Sequence, residues 1–188
     1  RVPHAEAVEV LDGAGLALKT VLGQQVRVPA ARTLAGRLAS LLGDRAGDLL
    51  TFPVPAAVAD AGPDVVRGIG LTGARAATVV HLARALADGL ELSPTGDHGA
   101  ARRALASLPG IGPWTVEYVA LRALRDLDAF PAHDLVLRRM MGGLSPAQAV
   151  ARAEGWRPWR GLAAQHLWTA AAAGVAAAGA AVAGAAGA

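Results

Sequence analysis

Apolar side chains recur at helical spacing along most of this 188-residue chain. After Pro29, for example, Leu34, Leu38 and Leu41 repeat until Gly43 ends the pattern. Proline and glycine divide the chain into many short segments of this kind, and runs of alternating β-branched residues are missing. The spacing therefore predicts an all-α fold built from many short helices.

Composition limits the classes of protein to which the chain can belong. Cysteine is absent, which excludes disulfides and a thiolate-held iron–sulfur cluster. The net charge is +3 and the pI about 10.5, and Lys19 is the only lysine. This arginine-based charge permits a nucleic-acid partner, but the coding of a GC-rich genome explains it equally well.

The two ends of the chain are unusual. The chain begins with Arg1, which suggests a fragment of a longer protein, and no signal peptide pattern follows. Residues 170–188 contain only Ala, Gly and Val. We interpret this low-complexity segment as a frayed helix or flexible tail and expect no membrane association, because the strongly apolar residues of membrane spans are missing.

Leu108-Pro109-Gly110-Ile111-Gly112-Pro113 forms a turn between two predicted helices. Its glycines permit positive φ angles and let a phosphate approach the backbone, and the next helix would present unpaired N–H groups at its start. Gly110, Ile111, Gly112 and the hydroxyl of Thr115 are the predicted backbone contacts. The alternative is an ordinary connection between two helices.

Two weaker features accompany this turn. The main-chain carbonyls of Ala106, Leu108 and Gly110 are a candidate site for a monovalent cation. A looser copy of the turn, residues 69–73, precedes another helix, and there we favour a structural role.

The hairpin sequence Leu-Pro-Gly-Ile-Gly-Pro-Trp-Thr, followed by Pro-Ala-His-Asp at 131–134, resembles the helix-hairpin-helix DNA glycosylases, and most closely their 3-methyladenine DNA glycosylase II (AlkA-type) branch. The resemblance covers roughly residues 8–168. It implies two helical lobes with the active cleft between them. It assigns residues 9–126 to a central lobe, 1–8 plus 127–169 to a second lobe, and 170–188 to the tail.

Asp134 is the predicted catalytic residue. A fixed carboxylate stabilises the positive charge that develops on the sugar when an N-glycosidic bond breaks, and it can orient water. Considered alone, Asp134 is more simply read as a helix cap or a partner of Arg138. The hairpin upstream, together with the resemblance, favours catalysis.

The predicted base pocket consists of Trp114 and Tyr118, four residues apart on one helix, with Trp168 placed across the cleft by the resemblance. Aromatic faces stack a flipped base and attract the positive charge of an alkylated purine. The alternative for each ring is core packing.

The resemblance also bears on the reaction type. Relatives that nick DNA use a lysine just after the hairpin, where this chain has Trp114, so we predict a monofunctional enzyme. Gln24 and Gln25 occupy the position where the superfamily places the residue that fills the gap left by the flipped nucleotide. A solvated helix end explains the two glutamines equally well.

The sequence thus predicts a base-excision repair glycosylase that hydrolyses alkylated bases from double-stranded DNA, as a monomer, in the bacterial cytoplasm at the nucleoid. We expect no organic cofactor and no catalytic metal. The alternatives are a non-catalytic helix-hairpin-helix binding module and a glycosylase with another base preference. Four arginines are supplementary candidates for phosphate contacts, although each is more simply a solvated charge: Arg102, Arg103, Arg138 and Arg139.

Overall fold

A computed structural model of the chain describes residues 13–185, with side chains described from Gly13 through Gly174. The chain divides into two compact units, the first ending at Arg125 and the second beginning at Asp126. Nearly all regular structure in the described range is helical, which confirms the all-α prediction. The predicted assignment of residues 1–8 to the second lobe lies outside the described residues.

Six helices build the described part of the first unit. They are α1 (Gly13–Leu22), α2 (Val28–Leu42), α3 (Pro55–Arg67), α4 (Gly73–Ala87), α5 (His98–Ser107) and α6 (Pro113–Arg122). Helix α4 packs against α3 and α1, and α6 packs against α1 and α5. The fully buried side chains at these contacts include Leu18, Val79, Leu82 and Leu105. Helix α6, whose N-terminal end is part of the candidate phosphate site, is therefore held by two neighbouring helices.

A small antiparallel hairpin in the first unit was not predicted. Strands β1 (Arg45–Ala46) and β2 (Leu49–Leu50) pair with Arg45 opposite Leu50, and Gly47, at a φ of +63°, allows the tight turn between them. Strands of two residues are too short to show an alternating pattern, so the sequence contains no period to detect.

Four helical segments form the described part of the second unit: α7 (Leu135–Met140), α8 (Pro146–Ala153), a 3₁₀ turn (Glu154–Trp156) and α9 (Arg160–Ala185). Ser145 and Gln148 form a capping box at the start of α8. Phe130, Leu137 and four alanines are buried at the centre, with Trp156 packed edge-on against Phe130. Because α9 continues through Ala185, the Ala/Gly segment is helical over residues 170–185.

An ion network joins the loop after Asp126 to the start of α9. Asp128 accepts two hydrogen bonds from Arg160, at 2.8 and 2.9 Å, and a third from Arg157. Glu154 accepts from the same two arginines, from Arg157 Nε at 2.7 Å and from Arg160 Nη1 at 3.2 Å. Since this loop leads to Asp134, the network fixes the path by which the chain reaches the candidate catalytic residue.

This network predicts a pH dependence of stability. The hydrogen bond from Arg160 holds the pKa of Asp128 below its usual value, and the one from Arg157 does the same for Glu154. A carboxyl whose pKa is lower in the folded state stabilises the fold above its ordinary pKa, about 4, and loses that contribution as the pH falls through the lowered value. We expect Arg160→Gln to raise the midpoint of acid unfolding, measured by circular dichroism between about pH 2 and 7.

Arg152→Gln is the matched control for this substitution, because Arg152 is an exposed arginine of the same unit. Equal acid midpoints for the two variants would show that the network contributes nothing.

None of the helices in the described range is long and apolar enough to cross a membrane.

Candidate active site and DNA-contacting turn

The predicted hairpin connects α5 to α6 in the first unit. Its turn is closed by a hydrogen bond from the Ile111 N–H to the Leu108 carbonyl at 3.1 Å, and the Ile111 side chain is buried at 8% exposure. Gly112 is the N-cap of α6, and Pro113 occupies its first turn. The first N–H groups of an α-helix have no carbonyl partner within the helix, so the start of α6 has donors and a positive dipole end for an anion.

Gly110 and Gly112 serve this turn in different ways. Gly110 has a φ of +84°, and a Cβ built there would lie 2.0 Å from Oγ1 of Thr78 on α4. Gly112 has an ordinary φ of −93°, and a Cβ there would meet no atom within 4 Å. Gly110 therefore allows the turn to pack against α4, whereas Gly112 leaves the backbone open to an approaching molecule.

Gln24 follows α1 and reaches the hairpin with its side chain. Its Nε2 atom donates to the Gly110 carbonyl at 3.3 Å and to Thr115 Oγ1 at 3.0 Å. Gln24 is half-buried, which differs from a solvated helix end, whereas Gln25 is exposed with a φ of +56°. The two predicted wedge residues thus have different surroundings, and Gln25 is the more exposed of the two. Its gap-filling role stays a prediction.

The surroundings of Thr115 do not favour the phosphate contact predicted for its hydroxyl. Only 3% of the residue is exposed, and its hydroxyl oxygen accepts from Gln24. A hydroxyl in this position faces the interior of the first unit, so a phosphate contact through it is not favoured by the structure.

The predicted cation site shares atoms with internal hydrogen bonds. The Leu108 carbonyl accepts from Ile111 N–H, and the Gly110 carbonyl accepts from Gln24. Cation binding at these carbonyls stays a prediction. Among the described residues, no group of three or more acidic or histidine side chains is arranged to hold a metal ion.

The two predicted pocket aromatics of α6 stack on one another. The Trp114 and Tyr118 rings lie 5.0 Å apart between centroids with an interplanar angle of 19°. One turn further along, the Arg122 guanidinium lies 5.7 Å from the centre of the Tyr118 ring. Trp114 and Arg122 thus contact the Tyr118 ring from the turns before and after it. A role of these rings in stacking a flipped base stays a prediction.

Two of the supplementary arginines have protein partners. Arg102 of α5 pairs with Glu117 of α6 at 3.2 Å, which ties together the two helices that flank the hairpin. Arg138 Nε donates to the Leu144 carbonyl at 2.6 Å. Arg103 and Arg139 are exposed.

Asp134 lies in the second unit, directly before α7. Its Oδ1 atom accepts from the N–H groups of Val136 and Leu137, both at 2.9 Å, so Asp134 caps the helix as the simpler interpretation predicted. The same oxygen accepts from the indole Nε1–H of Trp168 at 3.2 Å. Three donors on one oxygen fix the orientation of the half-buried carboxylate, which is what a catalytic carboxylate requires.

The hydrogen bond from Trp168 to Asp134 was not predicted from the sequence. The ring packs against the core of the second unit, and its N–H is directed at the candidate catalytic oxygen. Its role as a wall of the base pocket stays a prediction.

Comparison with known proteins identifies the family. The model of the HhH-GPD superfamily of base excision DNA repair proteins matches residues 18–159, about three quarters of the chain. The chain belongs to this superfamily. The match includes the hairpin and Asp134, and it confirms the resemblance inferred from the sequence.

Individual members of the superfamily resemble the chain over most of its length. DNA-3-methyladenine glycosylase 2 of Escherichia coli is 37% identical over 80% of this chain and 55% of its own. A probable bifunctional transcriptional activator/DNA repair enzyme AlkA of Mycobacterium tuberculosis is 42% identical over 90% of this chain and 36% of its own. The structure of a 3-methyladenine DNA glycosylase from Archaeoglobus fulgidus superposes with a TM-score of 0.74 at 26% identity, covering 85% of this chain and 58% of that one.

The chain thus spans about half or less of the lengths of these two bacterial relatives.

Proposed function

We propose that this chain is the catalytic part of a DNA glycosylase that hydrolyses the N-glycosidic bond of alkylated bases of the 3-methyladenine type. The observation that supports this most directly is the Asp134 carboxylate, oriented by two helix N–H groups and the Trp168 indole. The superfamily match and the names of the two bacterial relatives support the same reaction.

The proposed reaction needs few groups. The bond between the base nitrogen and C1′ of the sugar breaks, and its electron pair leaves with the base, which alkylation has made a good leaving group. Positive charge then develops on the sugar, where a fixed carboxylate stabilises it far better than reorganising water does. A water molecule, oriented or deprotonated by Asp134, bonds to C1′ and completes the hydrolysis.

The remaining parts of the site would bind the DNA. The hairpin at Gly110–Gly112 and the start of α6 would hold a phosphate of double-stranded DNA. Gln25 would occupy the gap left by the extruded nucleotide, and the Trp114 face would stack the alkylated base. In this proposal the protein acts as a monomer on DNA in the bacterial cytoplasm.

The proposal is for a monofunctional enzyme. A strand-nicking glycosylase forms a Schiff base through an amine, and Lys19 is the only lysine in the chain. Lys19 Nζ lies 5.1 Å from the centre of the Phe52 ring, in a cation–π contact. The products should therefore be a free base and an intact strand with an abasic site.

The first experiment is to measure base release from methylated duplex DNA by chromatography. Free 3-methyladenine, with strand breaks only after alkali, supports the proposal. Salt-dependent binding without any base release would instead indicate a binding module, or a reaction that needs parts present in the longer relatives.

A conservative change at Trp168 tests how the carboxylate is oriented. We expect Trp168→Phe to lower the single-turnover rate of base release by about tenfold, the value of one hydrogen bond to a charged group. Phenylalanine retains the aromatic face, so binding to DNA should change little. Trp159→Phe is the matched control, since Trp159 is 54% exposed. An unchanged rate in Trp168→Phe would leave the residue only a packing role.

A further inference from the structure

The Gln24 side chain links the two turns that would contact DNA in the proposed function. The turn after α1 presents Gln25 to solvent, and the hairpin presents Gly112 and the start of α6. The backbone of Gln24 is part of the turn after α1, where its N–H donates to the Val21 carbonyl at 3.2 Å. Its side chain donates hydrogen bonds to the hairpin.

The two acceptors of Gln24 flank Gly112 and Pro113, where the hairpin meets the start of α6. One is the carbonyl of Gly110, before Ile111 and Gly112, and the other is the hydroxyl oxygen of Thr115, after them. A single amide nitrogen with two hydrogens bonds to both. A carboxylate or an aliphatic side chain has no such donors, so replacing the amide by an aliphatic side chain removes both contacts.

The other side of the hairpin is fixed. Gly110 lies against Thr78 of α4, and Thr78 is buried and donates to the Ala74 carbonyl at 3.1 Å. Ile111 is buried as well. Gln24 therefore connects the Gln25 turn to a rigid part of the first unit.

The backbone next to this contact is strained. Gln25 has a φ of +56°, in the left-handed region that non-glycine residues adopt rarely and at some cost. This conformation persists only where neighbouring contacts hold it, and the Gln24 side chain supplies contacts directly before it.

We propose that Gln24 is a positioning residue that sets the place of Gln25 relative to the phosphate-binding hairpin. This inference rests on the proposed function, because it takes Gln25 as the residue that fills the gap in the duplex. When the hairpin binds a phosphate, the hydrogen bonds of the Gln24 amide hold the Gln25 turn in a fixed position relative to that phosphate. Gln24 itself does not touch the base.

The test compares two duplexes of the same sequence, one undamaged and one containing a tetrahydrofuran abasic-site analogue. Both are binding measurements, so neither requires catalysis. Gln24→Leu removes the two hydrogen bonds of the Gln24 side chain. We therefore expect it to reduce the preference for the abasic duplex about tenfold. Affinity for the undamaged duplex, which depends on the hairpin, should change by less than about threefold.

A second comparison distinguishes positioning of Gln25 from a structural role of Gln24 that does not involve Gln25. If Gln24 acts through Gln25, Gln25→Ala in the Gln24→Leu background should reduce the preference by no more than about twofold further, because coupled residues are not additive. Gln148→Leu is the matched control: Gln148 completes the capping box of α8, and its loss should lower thermal stability without changing the preference.

Three results would overturn the inference: an unchanged preference in Gln24→Leu, equal losses of affinity for both duplexes, or additive effects of the two substitutions. Base release by the wild-type protein alongside any of these results would leave the proposed function standing. A Gln24-dependent preference without base release would support the inference and count against the proposed function.

Discussion

Asp134→Asn is expected to reduce the single-turnover rate of base release by on the order of a thousandfold, while binding to duplex DNA is retained. The reason is electrostatic. In the proposed reaction, the carboxylate stabilises positive charge that develops only in the transition state, and a neutral amide of the same shape cannot do so. An effect on the chemical step without an effect on binding is what separates a catalytic residue from a residue that shapes the DNA surface.

Asparagine is informative because Asp134 also has a structural role. Its Oδ1 atom caps α7, and Asn and Asp are about equally good N-caps. The amide oxygen can accept the same N–H bonds from Val136 and Leu137 and from the Trp168 indole, so the fold should be unchanged. If Asp134 only capped the helix, Asp134→Asn would release base at the wild-type rate.

Asp134→Ala is the companion variant, since it removes both the charge and the cap. We expect a loss of stability of about 1 kcal/mol in addition to the loss of activity. Base release from methylated duplex DNA, DNA binding by anisotropy and thermal unfolding together distinguish the two roles. Asp134→Asn that releases base normally would contradict the catalytic assignment, whatever Asp134→Ala does.

The helical content followed from the sequence because it depends on local spacing. Apolar periodicity and the prolines and glycines between segments predicted an all-α chain, and no long-range information was needed. Helix ends were less predictable. Helix α6 ends at Arg122, although the two residues that follow, Ala123 and Leu124, are apolar and buried. Burial of this kind is a tertiary effect and leaves no local signal.

The candidate site was predictable in its residues and less so in its contacts. The turn at 108–113 and Asp134 could be found because their motifs are short and ordered along the chain. The contacts that orient them join distant residues: Gln24 lies 86 positions from Gly110, and Trp168 lies 34 from Asp134. A single sequence contains no record of such pairs. Thr78 was missed for the same reason, although a threonine on the apolar side of a helix was a detectable anomaly.

Gly110→Ala is expected to destabilise the first unit by about 3 kcal/mol, from two independent causes. The φ of +84° is unfavourable for alanine, and the new Cβ would lie 2.0 Å from Thr78 Oγ1 and 2.9 Å from its Cγ2. Thr78 is buried on α4 and cannot move without disturbing the helix. Urea unfolding followed by circular dichroism measures the loss.

The second cause can be isolated by a double-mutant cycle with Thr78→Ala. That change removes the two closest atoms and leaves only the Cβ at 3.0 Å, so it should recover the steric part of the loss and not the backbone part.

Gly112→Ala is the matched control, because its φ is −93° and nothing lies within 4 Å of the added methyl. It should cost only about 0.5 kcal/mol, as a poorer N-cap. Its effect should instead appear in DNA affinity, since the methyl group would hold a phosphate away from the backbone. Equal stability of the two alanine variants would contradict the packing of Gly110 against α4.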